Sequence, residues 1–409
     1  MNRLYRFLAA VTAVPIIAAC ADNGGNEPDE PTIDVENEAN GESEVNDNVG
    51  VDTEDEAVNE HGGNNGENEV SGEEANGMIP IAEMTTGDWT VETVAESLDV
   101  PWSLQKADSV YYLTDRDGHV LEVTDGDVSR FELETSDPVA HEGEGGLLGF
   151  LLSEDFASSG EGFAYYTYQG PSALENRVVT VERQNGAWVE TDILLDGISG
   201  DRIHNGGRLA VGPDDHLYVT TGDANVPSLS QDENNLAGKI LRMTQDGEVP
   251  DDNPFGDSYV YSTGHRNPQG LSWLSNGTMY ASEHGPTAQD EINLIEPGNN
   301  YGWPEIEGDE SAEGMEDPAI HSGTDTTWAP SGTAVYDDYL LVTGLRGSAL
   351  YLYDEAAHEM REIFDGEGRL RDVYVDGDSI YVLTNNTDGR GNPAPNDDRI
   401  LRLTWNGEQ

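Results

Sequence analysis

The sequence predicts an all-β chain, a six-bladed β-propeller preceded by a disordered acidic linker, and three observations predict it. From about Thr85 onward, short runs rich in Val, Tyr, Leu and Thr recur between clusters of Gly, Asp and Asn. No long apolar run of helical period interrupts them. One pattern repeats: a brief β run with Tyr or Leu near its start, then a small or polar residue. It stands at Val110-Tyr-Tyr-Leu-Thr, Gly162-Phe-Ala-Tyr-Tyr-Thr, His216-Leu-Tyr-Val-Thr, Thr278-Met-Tyr-Ala-Ser, Tyr339-Leu-Leu-Val-Thr and Ser379-Ile-Tyr-Val-Leu-Thr. Spacings of about 40–60 residues suit one four-stranded unit per repeat. A large sandwich would show no such long period.

The elements follow in order. Residues 1–19 carry Arg3 and Arg6 and then an apolar run from Phe7 to Ala19, the layout of a secretory signal. The run is too short for a stable membrane span. It ends Ile17-Ala18-Ala19-Cys20, which resembles the bacterial lipoprotein processing box, so Cys20 is expected to be lipidated and to hold an exported protein at the outer face of the cell membrane or in the periplasm. Cys20 is the sole cysteine, which excludes an intrachain disulfide and a haem attachment motif. Residues 20–84 form the acidic linker. Positions 21–80 hold 19 acidic residues, no Lys or Arg and no aromatic side chain, too little apolar area to offset the entropy of ordering. Residues 85–409 are the expected propeller.

The chain has 81 Asp+Glu against 19 Lys+Arg in 409 residues, and its only lysines are Lys106 and Lys239. Such a surface repels nucleic acid. Abundant carboxylates with few lysines suit a halophilic or alkaliphilic source, where salt screens the self-repulsion.

The stretch from Gly264 to Pro304 has the character of a site. His265, Arg266, Glu283, His284, Asp290 and Glu291 alternate there with glycines, prolines and amides. Glycines let backbone approach a ligand closely, and the turn at Gly285-Pro286 leaves carbonyls free to face a cation. In a propeller the loops leaving the blades gather around a central channel. The tails of the repeated strands carry Gly222-Asp223, Glu283-His284 and Arg346, and the connecting loops carry His204, Arg266, Arg369 and Arg371. Residues from separate blades can therefore converge on one pocket.

At these residues the chain resembles the soluble quinoprotein sugar dehydrogenases, the family of soluble glucose dehydrogenase and aldose sugar dehydrogenase. Nine landmarks stand in family order: GEGGLLGF (143–150), HNGGRLAVGPDDHLYVTTGD (204–223), GKILRM (238–243), GHRNPQG (264–270), EHGP (283–286), DEINLI (290–295), NYGWP (300–304), APSG (329–332) and RLRDV (369–373). The resemblance covers about Val100 to Arg402 and implies the same six-bladed fold. It also implies a cofactor, pyrroloquinoline quinone (PQQ), a tricyclic ortho-quinone with three carboxylates, bound with Ca2+.

The residues themselves suit such a ligand. Three carboxylates call for guanidinium forks, and Arg369 and Arg371, two apart on a strand, would face the same side. Resemblance aligns Arg346 with a family lysine that contacts the quinone, and Asn267 with another cofactor contact. It makes His204 the base that takes the proton of the sugar C1 hydroxyl, and Arg266 the cation beside the quinone oxygen where charge grows. Asp223 is placed to orient the histidine or to cap a turn. Calcium enters by resemblance at two places, one with the carbonyls of Gly285 and Pro286, the other with the Glu291 side chain and the Tyr301 carbonyl, Asp290 lying near. Hard oxygen ligands suit calcium and not zinc. One departure stands out: the family glutamine before GLLG, a cofactor contact, is Glu144 here. Facing a tri-acid, that carboxylate must be protonated, turned away, or offset by calcium or arginine. His265, His284 and His321 read best as hydrogen-bonded structural histidines.

The sequence thus points to PQQ- and calcium-dependent oxidation of an aldose at C1 to the lactone, with electrons passing to an external acceptor. A metal-dependent lactonase on the same scaffold would not need Arg266, Arg369 and Arg371. A cofactor-free binding propeller would account for Glu144 but not for the retained His204 and arginines.

Overall fold

Each Gly, Asp or Asn cluster becomes a turn and each β run a strand. The two-residue hairpins at Asp125-Gly126, Asn185-Gly186 and Asp337-Asp338 have positive φ at both positions, the conformation whose twist matches that of the flanking strands. The computed structural model describes residues 84–406; the expected signal peptide, Cys20 and all of the acidic linker before Met84 lie outside the described residues. Met84 itself is buried beside Trp89, in the apolar layer that includes Leu341, Leu352, Val382 and Leu401.

Four four-stranded antiparallel sheets and one eight-stranded sheet make up the fold. The first sheet joins both ends of the described chain, with Trp89–Ala95 beside Ile400–Trp405, then Ser379–Thr384 and Leu370–Asp376. The next three are consecutive meanders beginning at Leu209–Val211, Pro268–Trp273 and Pro330–Tyr336. The eight-stranded sheet contains two more such meanders, beginning at Pro101–Ala107 and Leu147–Leu152. They are linked edge to edge only through the parallel pairs Leu133–Trp188 and Glu134–Val189. The first strand of each meander touches the first strand of the next, and Leu370–Asp376 returns to Pro101–Ala107, so the sheets form a ring, a β-propeller. No helix among the described residues is long and apolar enough to cross a membrane.

The repeat read from the sequence falls on the second strand of each meander: Val110–Asp115, Glu161–Gln169, Leu217–Thr221, Met279–Glu283, Tyr339–Gly344 and Ser379–Thr384. These strands are buried on both faces between neighbouring sheets, which is why they read as apolar runs. Their tails reach the rim as expected, but the residues on the axis come from the first strands. Five of those six strands break register near their start, at 101/104, 147/150, 268/270, 330/333 and 370/372. A bulge turns a side chain out of the pleat. Here the breaks aim Trp102, Gln269, Ser331 and Arg371 inward. The Arg371 Nη1 donates to Gln269 Oε1 at 2.8 Å and Ser331 Oγ at 3.3 Å, and its guanidinium lies 6.0 Å from the Trp102 ring centre.

Candidate functional site

Above that inner layer lies a cavity of about 410 Å³, lined by residues from several sheets. Of the residues singled out in the sequence, Glu144, His204, Arg266, Asn267, Gly285, Pro286, Asp290, Arg346 and Arg369 line it. Asp223 and Arg371 stand directly behind its wall. Glu291 and Tyr301 lie further into the 290–308 region.

His204 is held at three points. Its φ of +57° is unusual for a residue with a Cβ. Its amide donates to Glu144 Oε2 at 3.1 Å, its carbonyl accepts from the Ala224 amide at 3.2 Å, and its Nδ1 lies 2.7 Å from Asp223 Oδ1. Gly222 permits this approach, because a Cβ there would sit 2.0 Å from the His204 carbonyl oxygen. Asp223 is fully buried and accepts twice more, from the Asn225 amide at 2.8 Å and from Trp303 Nε1 at 2.9 Å. Both carboxylate oxygens are thus acceptors. This fixes the proton on His204 Nδ1 and leaves Nε2 as the basic nitrogen. Asp223 orients the histidine and also caps its own turn, so both sequence readings hold.

Arg266 extends the same arrangement. Its guanidinium lies 5.4 Å from the Trp303 ring centre and donates from Nη1 to the His284 carbonyl at 3.1 Å, while its buried Nε has no partner. Asn267 receives the Gly206 amide at 3.0 Å, tying the His204 loop to the Arg266 loop. Arg369 and Arg371 both reach Asn385, through its carbonyl at 3.2 Å and its Oδ1 at 3.0 Å respectively, but Arg369 precedes the strand and lines the cavity, so the pair does not share one strand face as expected. Arg371 belongs to the Leu370–Asp376 strand and not to a loop, and it does not line the cavity.

Electrostatics sharpen the picture. Burial, then the charges of Arg116 and Arg369, push Arg371 down to about 9. Burial likewise holds Arg116 and Arg266 below the usual guanidinium range, with nearby carboxylates opposing it, and Arg116 also has a buried Nε without a partner. In a chain of net charge −62, Arg266, Arg346, Arg369 and Arg390 nonetheless gather on this cavity wall, an excess of positive charge over Glu144 and Asp290. An anion would relieve that.

A second, much smaller space of about 10 Å³, room for one atom-sized occupant, adjoins the first. Gly285, Pro286 and Arg266 line both. Glu283, Glu291 and Glu307 also line the small one, where one buried Glu307 oxygen has no partner. Burial, followed by the charges of Glu283 and Glu307, pushes Glu291 up to about 8. Among the described residues no three His, Cys, Asp or Glu side chains stand ready to close on a metal, so a cation here would draw on carbonyls as well. Asp290 lies outside the small space. Its oxygens take the Gly285, Trp328 and Ala329 amides and the Thr327 hydroxyl, fixing the Gly285 turn against the next sheet. The Tyr301 ring stacks on His265 at 4.9 Å.

His265 is structural, bridging Glu283 and Ser262 at 2.8 Å each, and His321 accepts the Gly323 amide. His284 lines the cavity while bonding Gln269 at 3.2 Å, and burial pushes it down to about 4. Glu144 answers the question its identity raised. Burial works against its charge, but Arg390 at 2.7 Å and the His204 amide outweigh it and hold the carboxyl down at about 2. Arg390 and Arg116 were not singled out in the sequence. Arg116 follows the first repeated strand as Asp223 follows the third, so the tail rule would have reached it. Arg390, in Asp388-Gly-Arg-Gly, has the glycine-flanked setting of Arg346.

Residues 98–401 match the family model described as Glucose / Sorbosone dehydrogenase. Aldose sugar dehydrogenase YliI of Escherichia coli is 28% identical over 364 residues, covering 76% of this chain and 96% of that relative. Quinoprotein glucose dehydrogenase B of Acinetobacter calcoaceticus is 36% identical over 197 residues, and that match spans only 41% of either chain. Among solved structures, the PQQ-bound aldose sugar dehydrogenase of Streptomyces coelicolor superposes with a TM-score of 0.72 at 40% identity, covering 78% of this chain and 99% of its own.

Proposed function

We propose, from the premise that this chain belongs to the Glucose / Sorbosone dehydrogenase family of quinoprotein oxidoreductases acting on sugars, that it oxidises an aldose at C1 to the lactone with PQQ and calcium and yields the electrons to an external acceptor. One observation carries this reading: Arg266, Arg346, Arg369 and Arg390, the first with an unpartnered buried Nε, line a cavity that also holds a carboxylate-backed imidazole. A tri-carboxylate fits that charge imbalance, and a sugar hydroxyl fits the imidazole.

Arg266, Asn267, Arg346 and Arg369 would hold the quinone at the cavity wall, with Arg371 beneath. Calcium would take the carbonyl turn of Gly285 and Pro286, and a second ion would take Glu291, where the unpartnered Glu307 oxygen and the raised Glu291 favour a cation. When bound, the quinone supplies the two-electron oxidant. His204 Nε2 takes the hydroxyl proton, which eases loss of the carbon-bound hydrogen as the carbonyl forms. Asp223 keeps Nε2 free and stabilises the imidazolium that results. Arg266 offers fixed positive charge beside the reacting atoms, and Trp303 braces both Asp223 and Arg266.

In this reading the eight-stranded sheet counts as two blades, giving six around one axis, and Cys20 anchors the propeller to the cell envelope. The test is reconstitution. Protein with PQQ and Ca2+ should show a quinone absorbance change on adding aldoses and should reduce an artificial dye acceptor. His204→Ala should bind quinone and not turn over. Absence of quinone-dependent oxidation across a broad panel of aldoses and alcohols would end the proposal.

A further inference from the structure

The Glu144–Arg390 contact is not explained by the reaction above. A carboxylate lining a cavity meant for a tri-anion should weaken binding, and a surface arginine would not ordinarily reach across to it. Arg390 lies on the loop between Ser379–Thr384 and Ile400–Trp405, while Glu144 precedes the strand Leu147–Leu152, so the contact joins two sheets across the mouth. Both residues line the cavity.

The charges alternate along a continuous path. Arg369 donates to Asp388 Oδ2 at 2.9 Å, and Asp388 Oδ1 accepts the Arg390 amide at 2.9 Å, which fixes the turn carrying Arg390. Arg390 Nη2 then meets Glu144 Oε1 at 2.7 Å, and Glu144 Oε2 receives the His204 amide at 3.1 Å. Glu144 is itself anchored, its amide donating to the Arg202 carbonyl at 2.7 Å. Gly143 allows the tight turn there, since a Cβ would lie 2.1 Å from that same carbonyl oxygen.

We infer that Glu144 is a positioning residue for His204, and that Arg390 is the counter-charge that lets a carboxylate do this inside an anion site. An ionised carboxylate is a stronger acceptor for the His204 amide than a neutral amide oxygen. It holds the left-handed backbone that aims the imidazole. Without Arg390 its charge would face the quinone carboxylates directly. The inference rests on the proposed quinone chemistry for its role, but the pair acts on His204 whether or not a quinone is present.

The test is a cycle of Arg390→Gln, Glu144→Gln and the double variant, read by quinone titration in calcium buffer without sugar. Arg390→Gln should weaken quinone binding about tenfold or more, because an uncompensated charge then faces the ligand. Glu144→Gln should bind as tightly as the parent or tighter, and the double variant should return to within about threefold of it. An unchanged Arg390→Gln, or a double variant as weak as Arg390→Gln, overturns the inference.

Glu144→Ala, which removes the acceptor altogether, should lower kcat with little change in KM, and Glu144→Gln should restore part of the loss. Equal kcat in parent and Glu144→Ala overturns the positioning role. Should the parent bind no quinone at all, the functional reading fails. The pair is then decided in quinone-free protein by proton NMR of His204, assigned through its absence in His204→Asn. Each single variant should move the His204 ring signals from their parental positions, and the double variant should bring them part of the way back; unmoved His204 signals in both single variants overturn the pair.

Discussion

Asp223→Asn isolates the catalytic geometry in one atom. The carboxylate accepts on both oxygens, from His204 Nδ1 and the Asn225 amide on one side and from Trp303 Nε1 on the other. Asparagine has a single carbonyl oxygen, so its NH2 must face one of these donors. If the NH2 faces Trp303, a buried indole N–H loses its partner, at about 1–3 kcal/mol. If it faces His204, the imidazole must present an acceptor at Nδ1. The proton then moves to Nε2, the atom that should receive the sugar proton, and general-base catalysis worth about 10²–10⁴-fold is lost. The swap is nearly isosteric, so quinone affinity should change little. Steady-state dye reduction with reconstituted protein, alongside denaturant unfolding, reads both branches. A variant with parental kcat and parental stability would refute the assigned tautomer and with it the role of His204.

Other outcomes follow from the same structure. Arg371→Met should leave the quinone-free protein within about 2 kcal/mol of the parent, because relieving a disfavoured buried charge offsets the loss of its bonds to Gln269, Ser331 and Asn385. It should still weaken quinone binding, and loss of folding would show that the charge is structural. Calcium should stabilise the protein more at pH 8 than at pH 5. With Glu291 raised to about 8, the calcium-free fold binds more protons than the unfolded chain above the usual carboxylate range, so its stability falls as pH rises toward 8. Calcium takes the ionised form; equal melting shifts at the two pH values would contradict this. Glu144, held down at about 2, contributes stability above the ordinary carboxylate range that is lost as pH falls toward 2. Glu144→Gln should therefore differ from the parent in urea unfolding at pH 6 and converge with it near pH 2. Gly222→Ala should unfold more readily and lose activity, since its Cβ would collide with the His204 carbonyl.

Much of this protein is legible in its residues alone. The period of Tyr- and Leu-led runs fixed one unit per repeat, because every second strand is buried between two sheets and must be apolar along its length. Motif chemistry likewise named ten of the residues lining the cavity, His284 among them, since ligand-type side chains among glycines are poor material for a core. What the sequence could not carry were relations between distant positions. The register breaks that turn Trp102, Gln269, Ser331 and Arg371 inward depend on pairing with neighbouring strands. Glu144 looked like a defect in a one-dimensional reading, because its counter-charge lies 246 positions away. The second oxygen of Asp223 finds its donor only when Trp303, from the loop after the Glu291–Ile295 strand, closes on it. Local propensity and burial are written residue by residue, whereas charge compensation and tautomer choice arise only where separate sheets meet.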